Sequence, residues 1–421
     1  MRHLLCYFNT GHVALPSNTI RDSLLEWVSL VSRFGSDSPW ILDFIGSGDF
    51  SKLRKNGARA ECLSSKWDGV DALFERLADL IGCDAGNLLL QPTFLSTLLL
   101  ILRSLGRGRE QPTVVYTDLD HPNVVAGIKA FAAELGMRTA MILIESRVVS
   151  GATSEEIEDR ICRFVGSHRE SILFLPHVDY RYGYTLNIAS IARRLDPIQP
   201  LVVDAAHSLG VFKFDVTDER LVIVLGSGHK WLGGWRASAF AGVLGDTRLT
   251  SPIVTYWADQ TYSAFSMLRH KPPRLGRGFV WGSVGEIPLL SLGIGLREFN
   301  RVGLSHITGK IRKLTEYLSV NVRSESWSLV SNHFSPSGIR YFFANDPSDF
   351  DAQATARQFR EKHDIALSAY DQSRKGIRIC ITHNNGIPDI DKFNAVLSSY
   401  VPLKRSSHRA RQVHSSREFH I

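Results

Sequence analysis

The chain of 421 residues has few cysteines and no long apolar segment, and both absences exclude classes of protein. Its five cysteines are scattered, and none of them has the spacing of metal ligands, which argues against a zinc site or a disulfide framework. No apolar run approaches the ~20 residues that a membrane helix needs, and the first residues lack the apolar region of a secretory signal. We therefore expect a cytoplasmic protein with reduced thiols, no metal and no membrane partner.

The net charge of +7 is modest, and much of it is concentrated at the C-terminal end. Five basic residues and one acidic residue follow Leu403, so this short tail accounts for more than half of the net charge. The remainder of the chain is nearly balanced, which gives no indication of a nucleic-acid partner. The tail is rich in Ser, Arg and His, and we predict that it is a disordered basic extension.

The apolar pattern predicts an α/β fold. From about residue 113, short runs rich in β-branched residues alternate with amphipathic segments of helix length, which is typical of a mostly parallel sheet with helices on its faces. The candidate antiparallel member of this sheet is 239–244. The predicted strands are 113–116, 139–144, 171–176, 201–203, 221–224 and 239–244.

The later part of the chain reads as a second, smaller domain. A helix is predicted at 307–320 and a strand at 377–381. We therefore divide the chain into four parts. These are an N-terminal segment (1–60), a large domain (61–275), a small α+β C-terminal domain (276–402) and the basic tail (403–421).

Two candidate catalytic side chains follow neighbouring predicted strands. Lys230 comes after the run 221–224 and a short stretch of small residues, and Asp204 directly follows 201–203. Because the carboxyl ends of neighbouring parallel strands border the same crevice, we expect the amine and the carboxylate to lie close together there. A lysine can hold a carbonyl cofactor as a Schiff base, and an aspartate can keep a pyridine nitrogen protonated. The pair therefore predicts pyridoxal 5'-phosphate as the cofactor.

The arrangement of these motifs resembles the class V aminotransferase family of fold-type I pyridoxal-phosphate enzymes, which includes kynureninases, isopenicillin N epimerase-like proteins and cysteine desulfurases. Asp204 is followed by His207, and Ser227, His229 and Lys230 complete the second motif. The resemblance implies a large domain with a mostly parallel seven-stranded sheet flanked by helices, a smaller α+β domain, a homodimer and an amino acid substrate.

The resemblance also assigns side chains to the cofactor ring. His121, just beyond a predicted strand, would stack on the ring face, although it could instead cap the helix that begins at Pro122. Asp179 would face the phenolic oxygen, where its carboxylate would repel a phenolate unless it is protonated or turned away. His207 could donate a hydrogen bond to that oxygen instead.

For the cofactor phosphate, the resemblance implies Ser227 and His229, which flank the lysine motif. Thr93, with Ser96 as a further candidate, lies in a predicted strand-to-helix turn, where free N–H groups favour a dianion. Ser283 would reach the phosphate from the partner subunit of an obligate dimer, but the same residues could form an ordinary turn.

For the substrate, the resemblance implies that Arg378 binds the α-carboxylate, since a guanidinium pairs with a carboxylate through two parallel hydrogen bonds. The segment around Asn9-Thr10-Gly11-His12 resembles the opening segment that many family members fold over the active site. Several large side chains could line the substrate pocket or could simply pack in the core. They are Trp231, Trp235, Arg236, Trp257 and Trp281.

The favoured function is a pyridoxal-phosphate enzyme that acts at Cα of an amino acid, with Lys230 as general base and transamination slightly favoured. A kynureninase-like or β-eliminating lyase and an epimerase stay open. In the family that the chain resembles, cysteine desulfurases carry a nucleophilic cysteine on a loop shortly before the carboxylate-binding arginine. No cysteine lies between Gly303 and Ile379, so persulfide-forming desulfurase activity is excluded. A non-catalytic cofactor-binding protein would not need Arg378. A nucleotide-binding loop is disfavoured, because His229 stands where such a loop has glycine.

Overall fold

The computed structural model describes residues 5–168, 170–214, 220–265, 278–279, 285–330, 335–348, 350–372 and 374–400. Ser283 and Trp281 lie outside the described residues, as does the tail 403–421. Across the described part of the chain, no helix is both long enough and apolar enough to span a membrane.

The largest sheet confirms the predicted mostly parallel arrangement. Its strand order is β4-β3-β5-β6-β7-β8-β2-β9, in which the two-residue β9 adds an eighth strand at the edge to the seven predicted. β8 runs antiparallel to β7, as predicted, and to β2, whereas the other neighbours are parallel. The strands are β2 (Leu88–Gln91), β3 (Thr113–Thr117), β4 (Arg138–Ile142), β5 (Ser171–Pro176), β6 (Leu201–Asp204), β7 (Val222–Ser227), β8 (Ala239–Leu244) and β9 (Gly278–Phe279).

Apolar side chains on both faces of the large sheet explain its central position. In β7, Val222 and Val224 pack into one buried cluster, whereas Ile223 and Leu225 pack into the cluster on the opposite face. Successive strand residues point to opposite faces, so an unbroken apolar run produces a strand that is buried on both sides. The sheet is therefore the middle layer between two groups of helices.

Fifteen α-helices are found in the described residues. Thr153 and Glu156 form a capping box at the start of α9, the pattern of residues that typically begins a helix. The helices are α1 (Asn18–Phe34), α2 (Pro39–Ser47), α3 (Ser51–Lys55), α4 (Glu61–Lys66), α5 (Val70–Ile81), α6 (Phe94–Gly106), α7 (Pro122–Glu134), α8 (Glu145–Val149), α9 (Ser154–Gly166), α10 (Ile188–Arg194), α11 (Thr247–Phe265), α12 (Glu286–Val302), α13 (Leu304–Asn321), α14 (Ala352–His363) and α15 (Ile387–Ser399).

A second sheet of four antiparallel strands lies in the C-terminal part, in the order β10-β11-β14-β13. The N-terminal strand β1 pairs in parallel with β12, so the start of the chain is joined to its C-terminal part. The boundaries assigned to the four parts of the chain stay a prediction. These strands are β1 (Cys6–Tyr7), β10 (Trp327–Leu329), β11 (Ile339–Ala344), β12 (Ile365–Ala366), β13 (Ser368–Tyr370) and β14 (Gly376–Cys380).

Candidate active site

A cavity of about 480 Å³ opens where the carboxyl ends of the central parallel strands meet. Asp204 ends β6, Ser227 ends β7, and the turn that carries Lys230 follows directly. These three side chains line the cavity together with Arg378 from β14 in the second sheet. The ends of parallel strands at a change of sheet order form a common binding crevice, as the sequence predicted.

The turn after β7 holds Lys230 in place. The N–H of Gly228 donates to the carbonyl of Ser238 at 2.7 Å, and the N–H of Gly233 donates to the carbonyl of Lys230 at 3.1 Å. Gly228 cannot be replaced without rearrangement, because a Cβ atom there would lie 2.6 Å from the Ser238 hydroxyl. The amine of Lys230 lies 3.0 Å from Nε2 of His207.

Burial changes the protonation of the Lys230 amine. It lowers the pKa of Lys230 to about 8, and Asp204 opposes the shift while Arg378 adds to it. The amine is therefore partly unprotonated near neutral pH, whereas an ordinary lysine is almost fully charged. An unprotonated amine is the form that attacks carbonyls and accepts protons.

Asp204 and His207 lie beside this amine. The carboxylate of Asp204 accepts a hydrogen bond from the N–H of Ala206 at 2.9 Å. Burial raises the pKa of Asp204, while the neighbouring Lys230 lowers it. Burial also holds the pKa of His207 well below its usual range, so this ring is neutral. Nδ1 of His207 is buried and has no hydrogen-bond partner among the described residues.

His121 takes both of the positions considered from the sequence. Its Nδ1 accepts a hydrogen bond from the N–H of Asn123 at 3.2 Å, so the residue caps α7. It also lines the cavity, and its ring meets that of Tyr180 edge-on at 4.7 Å. Burial lowers the pKa of His121 to about 4, which leaves a neutral ring at the cavity wall.

Three of the four main phosphate candidates line the same cavity: Thr93, Ser227 and His229. The further candidate Ser96 does not line it. Thr93 begins α6 with a capping box, in which its hydroxyl accepts from the N–H of Ser96 at 3.0 Å. The predicted strand-to-helix turn is therefore present. Burial lowers the pKa of His229 to about 4. The fourth candidate, Ser283, falls outside the described residues.

Asp179 is not brought to this cavity. Its carboxylate accepts hydrogen bonds from the N–H groups of Arg181 and Tyr182 at 2.9 Å each and from that of Tyr184 at 2.8 Å. Burial raises the pKa of Asp179 to about 6, while these hydrogen bonds lower it. Of the alternatives considered from the sequence, the structure has the one in which the carboxylate is turned away, here onto N–H groups of its own loop.

We predict that Asp179→Ala lowers the free energy of unfolding by ~2 kcal/mol, since three backbone donors lose a charged acceptor. Urea unfolding of the variant and the native protein at pH 7.5 measures this difference. Asp351→Ala, which removes one cap hydrogen bond at the start of α14, is the matched control with a smaller expected loss. Equal stability of Asp179→Ala and the native protein would contradict a structural role.

Arg378 is almost completely buried, and its guanidinium faces the cavity. It donates to the carbonyl of Tyr180 at 2.6 Å and to the hydroxyl of Ser368 at 3.1 Å, and it lies against the ring of Tyr370. Its Nε has no hydrogen-bond partner among the described residues. The guanidinium is therefore held in one orientation with a buried donor still unused.

The N-terminal segment covers one side of the cavity, as its resemblance to an opening segment suggested. The N–H of Ala14 donates to the carbonyl of His229 at 2.8 Å, and Gly11, His12 and Val13 line the cavity. A Cβ at Gly11 would lie 3.4 Å from the guanidinium carbon of Arg378. We call residues 9–14 the N-terminal strap.

The aromatic candidates have different environments. Trp257 is fully buried in the core beneath the sheet, so its position is explained by packing. Trp231 lines a separate cavity of about 410 Å³, and Trp235 is exposed. Arg236 lines the cavity that contains Lys230. Sequence reasoning missed Tyr370 and Ser368, which come from β13 and have no local motif.

A buried carboxyl group next to the cavity was also missed. Asp120 precedes His121, and its Oδ2 accepts hydrogen bonds from the N–H and the hydroxyl of Thr117 at 2.8 Å each. Its Oδ1 has no partner among the described residues. Burial holds the pKa of Asp120 well above its usual range, and the charges of Asp204 and Asp118 add to the effect.

This raised pKa predicts a pH dependence of stability. The folded state keeps a proton on Asp120 that the unfolded chain releases near pH 4, so the contribution of Asp120 to stability is present below that pH and declines as the pH rises. We expect Asp120→Asn, which cannot ionise, to weaken the decline in unfolding free energy above pH 5. Urea unfolding between pH 5 and 8 measures it. Identical pH profiles for the two proteins would refute the prediction.

No family model matches the chain. Curated relatives share local similarity with it. The O-phospho-L-seryl-tRNA:Cys-tRNA synthase of Methanoculleus marisnigri is 33% identical over 149 residues, which are 34% of this chain and 37% of that protein. The uncharacterized aminotransferase YcbU of Bacillus subtilis is 27% identical over 244 residues, 56% of this chain and 60% of that protein. The chain thus matches less than two thirds of the length of either relative.

Solved structures match the chain over nearly its whole length. One is a cystine C-S lyase in complex with its product, cysteine persulfide, which has a TM-score of 0.72 at 16% identity. The match covers 95% of this chain and 99% of the lyase chain. A mutant of that lyase with glycine covalently linked to its PLP cofactor has a TM-score of 0.71 at 15% identity, over 94% of this chain and 97% of its own. The ureidoglycine-glyoxylate aminotransferase of Bacillus subtilis has a TM-score of 0.65 at 14% identity, over 94% of this chain and 93% of its own.

These similarities confirm the predicted fold class, that of the fold-type I pyridoxal-phosphate enzymes. They also confirm the resemblance to the class V aminotransferases that the order of motifs indicated.

Proposed function

We propose that the protein is a pyridoxal-phosphate-dependent enzyme that acts at Cα of an amino acid, with Lys230 as the residue that binds the cofactor carbonyl covalently. One observation carries the proposal. A buried amine with a pKa of about 8 lies 3.0 Å from His207, in the same cavity as the carboxylate of Asp204 and the guanidinium of Arg378. An activated amine, an acid and a carboxylate-binding group are the parts that this chemistry needs.

The residues around the cavity fit this cofactor. Asp204 would pair with the ring nitrogen, and His121 would lie on the ring face. Thr93, Ser227 and His229 would hold the phosphate, aided by the positive end of the dipole of α6. Nδ1 of His207 supports the fit, because a buried polar atom without a partner is costly unless a bound molecule satisfies it.

When bound, pyridoxal phosphate supplies an electron sink that makes the Cα proton of an amino acid acidic. Arg378 would bind the α-carboxylate and orient the substrate, with its buried Nε available as a donor. Lys230 would accept the proton from Cα, since a lowered pKa keeps part of the amine unprotonated near neutral pH. The neutral ring of His207 lies within hydrogen-bond distance of this amine and would position it.

For the reaction branch, we propose amino-group transfer. The support is the similarity to the aminotransferase YcbU, which extends over more of the chain than that to the tRNA-dependent synthase. Lyase and epimerase reactions share the same proton transfer and are the alternatives. Persulfide formation has no candidate nucleophile, because the thiol of Cys380 is buried within β14. We also propose a homodimer, following the resemblance from which Ser283 was named.

The test is the absorbance of the purified protein with added pyridoxal phosphate, since attachment to a lysine produces a visible band. Borohydride reduction followed by peptide mass spectrometry should locate the cofactor on Lys230. Titration with kynurenine, alanine, aspartate and cysteine, with product analysis, then separates the branches. Conversion to the pyridoxamine form with release of a keto acid supports transfer, whereas cleaved or racemised products favour the alternatives. Absence of any visible band would refute the proposal.

A further inference from the structure

The mouth of the cavity contains a guanidinium that the proposed chemistry at Cα does not use. Arg236 lies in the turn after Lys230, is exposed to solvent, and lines the same cavity as Lys230 and Arg378. It has no hydrogen-bond or ion-pair partner among the described residues. A charged side chain at a cavity mouth that is free of protein partners is available for a ligand.

The loop that carries Arg236 is pinned to the protein on both sides. The N–H of Trp235 donates to the hydroxyl of Ser291 at 2.8 Å, and the hydroxyl of Ser238 donates to the carbonyl of Trp235 at 2.6 Å. Between them, Ala237 has φ of 65°, a left-handed conformation that is strained for a residue with a side chain. Such strain persists where the surrounding structure imposes it, and here it occurs at the cavity wall.

The N-terminal strap packs against Arg378 and lines the cavity together with Arg236. Gly11 packs against the guanidinium of Arg378, and a Cβ at Gly11 would come within 3.4 Å of it. The next residue is His12, whose pKa is lowered first by burial, then by Arg236 and then by Arg378. Arg236, Arg378 and the two strap residues Gly11 and His12 line the same cavity.

The cavity has an excess of positive charge. Among its lining residues, Lys230, Arg236 and Arg378 are basic, and Asp204 is acidic. The lining histidines add no charge near neutral pH, because burial lowers the pKa of His12, His121, His207 and His229. Once Arg378 binds an α-carboxylate and Asp204 pairs with the cofactor ring, Arg236 is left facing the substrate space beside the strap.

We propose that Arg236 binds a second anionic group, a carboxylate or a phosphate, on the substrate side chain, so that the enzyme selects acidic amino acids. The inference rests on the proposed function, since it assumes that Arg378 holds the α-carboxylate. A guanidinium suits this task because it stays charged and can pair with either anion through two hydrogen bonds.

The test compares acidic substrates with neutral partners of similar shape. Dissociation constants are measured from the spectral shift of the cofactor-loaded protein with L-aspartate against L-asparagine, and with O-phospho-L-serine against L-serine. We expect the acidic member of one pair to bind at least ~10-fold more tightly than its neutral partner, because a hydrogen bond between two charged groups contributes enough binding free energy for that difference. The pair that shows the preference identifies the anion as carboxylate or phosphate.

Arg236→Gln should reduce this preference ratio to near unity, and Arg236→Lys should keep part of it. Arg357→Gln is the matched control, because Arg357 is an exposed arginine on α14 that does not line the cavity. Calorimetry with succinate against butyrate gives a readout that needs no turnover. We expect succinate to bind more tightly to the native protein, and Arg236→Gln to remove the difference.

Two results would overturn the assignment of Arg236. One is a native protein without preference for either acidic amino acid. The other is an Arg236→Gln variant that binds pyridoxal phosphate more weakly but keeps the preference ratio, which would make Arg236 a phosphate ligand of the cofactor. If no visible band forms at all, the proposed function fails instead, and the succinate comparison still decides whether Arg236 pairs with a second carboxylate.

Discussion

Replacing Lys230 with Ala is expected to abolish the visible band of the cofactor–lysine imine in protein dialysed free of amino acids, and to lower turnover at least ~10³-fold, because the amine that attaches the cofactor and accepts the Cα proton is removed. The side chain lies at a cavity wall, and its single hydrogen bond within the described part of the chain is to His207. The variant should therefore fold normally. Absorbance spectra and steady-state rates with the amino acid that reacts in the native protein measure the effect.

Lys129→Ala is the matched control, because Lys129 is exposed on the outer face of α7. It should keep both the band and the rate. Added methylamine should partly restore turnover in Lys230→Ala by supplying a small base to the space that the side chain leaves. A variant that retains the imine band when it is free of amino acids, or that keeps native turnover, would exclude Lys230 from the proposed role.

The second large effect is expected at Arg378. Replacing Arg378 with Lys keeps the charge but removes the planar fork, so we expect the dissociation constants of amino acids to rise about 10–100-fold. Because Arg378 also donates to Tyr180 and Ser368, thermal unfolding of the variant is measured alongside binding. Spectral titration of the cofactor-loaded protein gives the dissociation constants.

A comparison of an amino acid with the amine that lacks its carboxylate isolates the contact between Arg378 and the α-carboxylate. The native protein should strongly prefer alanine over ethylamine, and Arg378→Lys should lose most of that preference. Arg357→Lys serves as the control at an exposed position. Equal discrimination by the native protein and Arg378→Lys would show that another group binds the α-carboxylate.

The sequence predicted the central elements well because their signals are local. The apolar runs that become β5, β6, β7 and β8 are bounded by turns, and the alternation of faces follows directly from strand geometry. The largest error at a strand end concerns β7, which continues to Ser227, three residues beyond the predicted end at Val224. In contrast, β4 ends at Ile142, two residues before the predicted end at Ile144. The main chain of Ile144 instead donates to the carboxylate of Asp118, and the next helix begins at Glu145.

Predictions that depended on the direction of one side chain were less secure. Asp179 follows a strand end, as Asp204 does, yet its carboxylate turns back to accept three N–H groups of its own loop. Trp257 and Trp235 were equal candidates from the sequence, but one is buried in the core and the other is exposed. Such choices depend on the packing of neighbouring elements, which local composition does not encode.

The sequence by itself determined which residues end the parallel strands, and hence that Asp204, Ser227 and Lys230 share one crevice, because strand period and turn residues act over a few positions. The resemblance names Arg378 and the opening segment as parts of the site, but only the tertiary structure shows which contacts bring them together with Tyr370 to close that crevice. The N-terminal strap, Tyr370 and Arg378 meet there from opposite ends of the chain, joined by the pairing of β1 with β12. Contacts between residues separated by hundreds of positions arise from the packing of whole elements, so a local sequence pattern does not predict them.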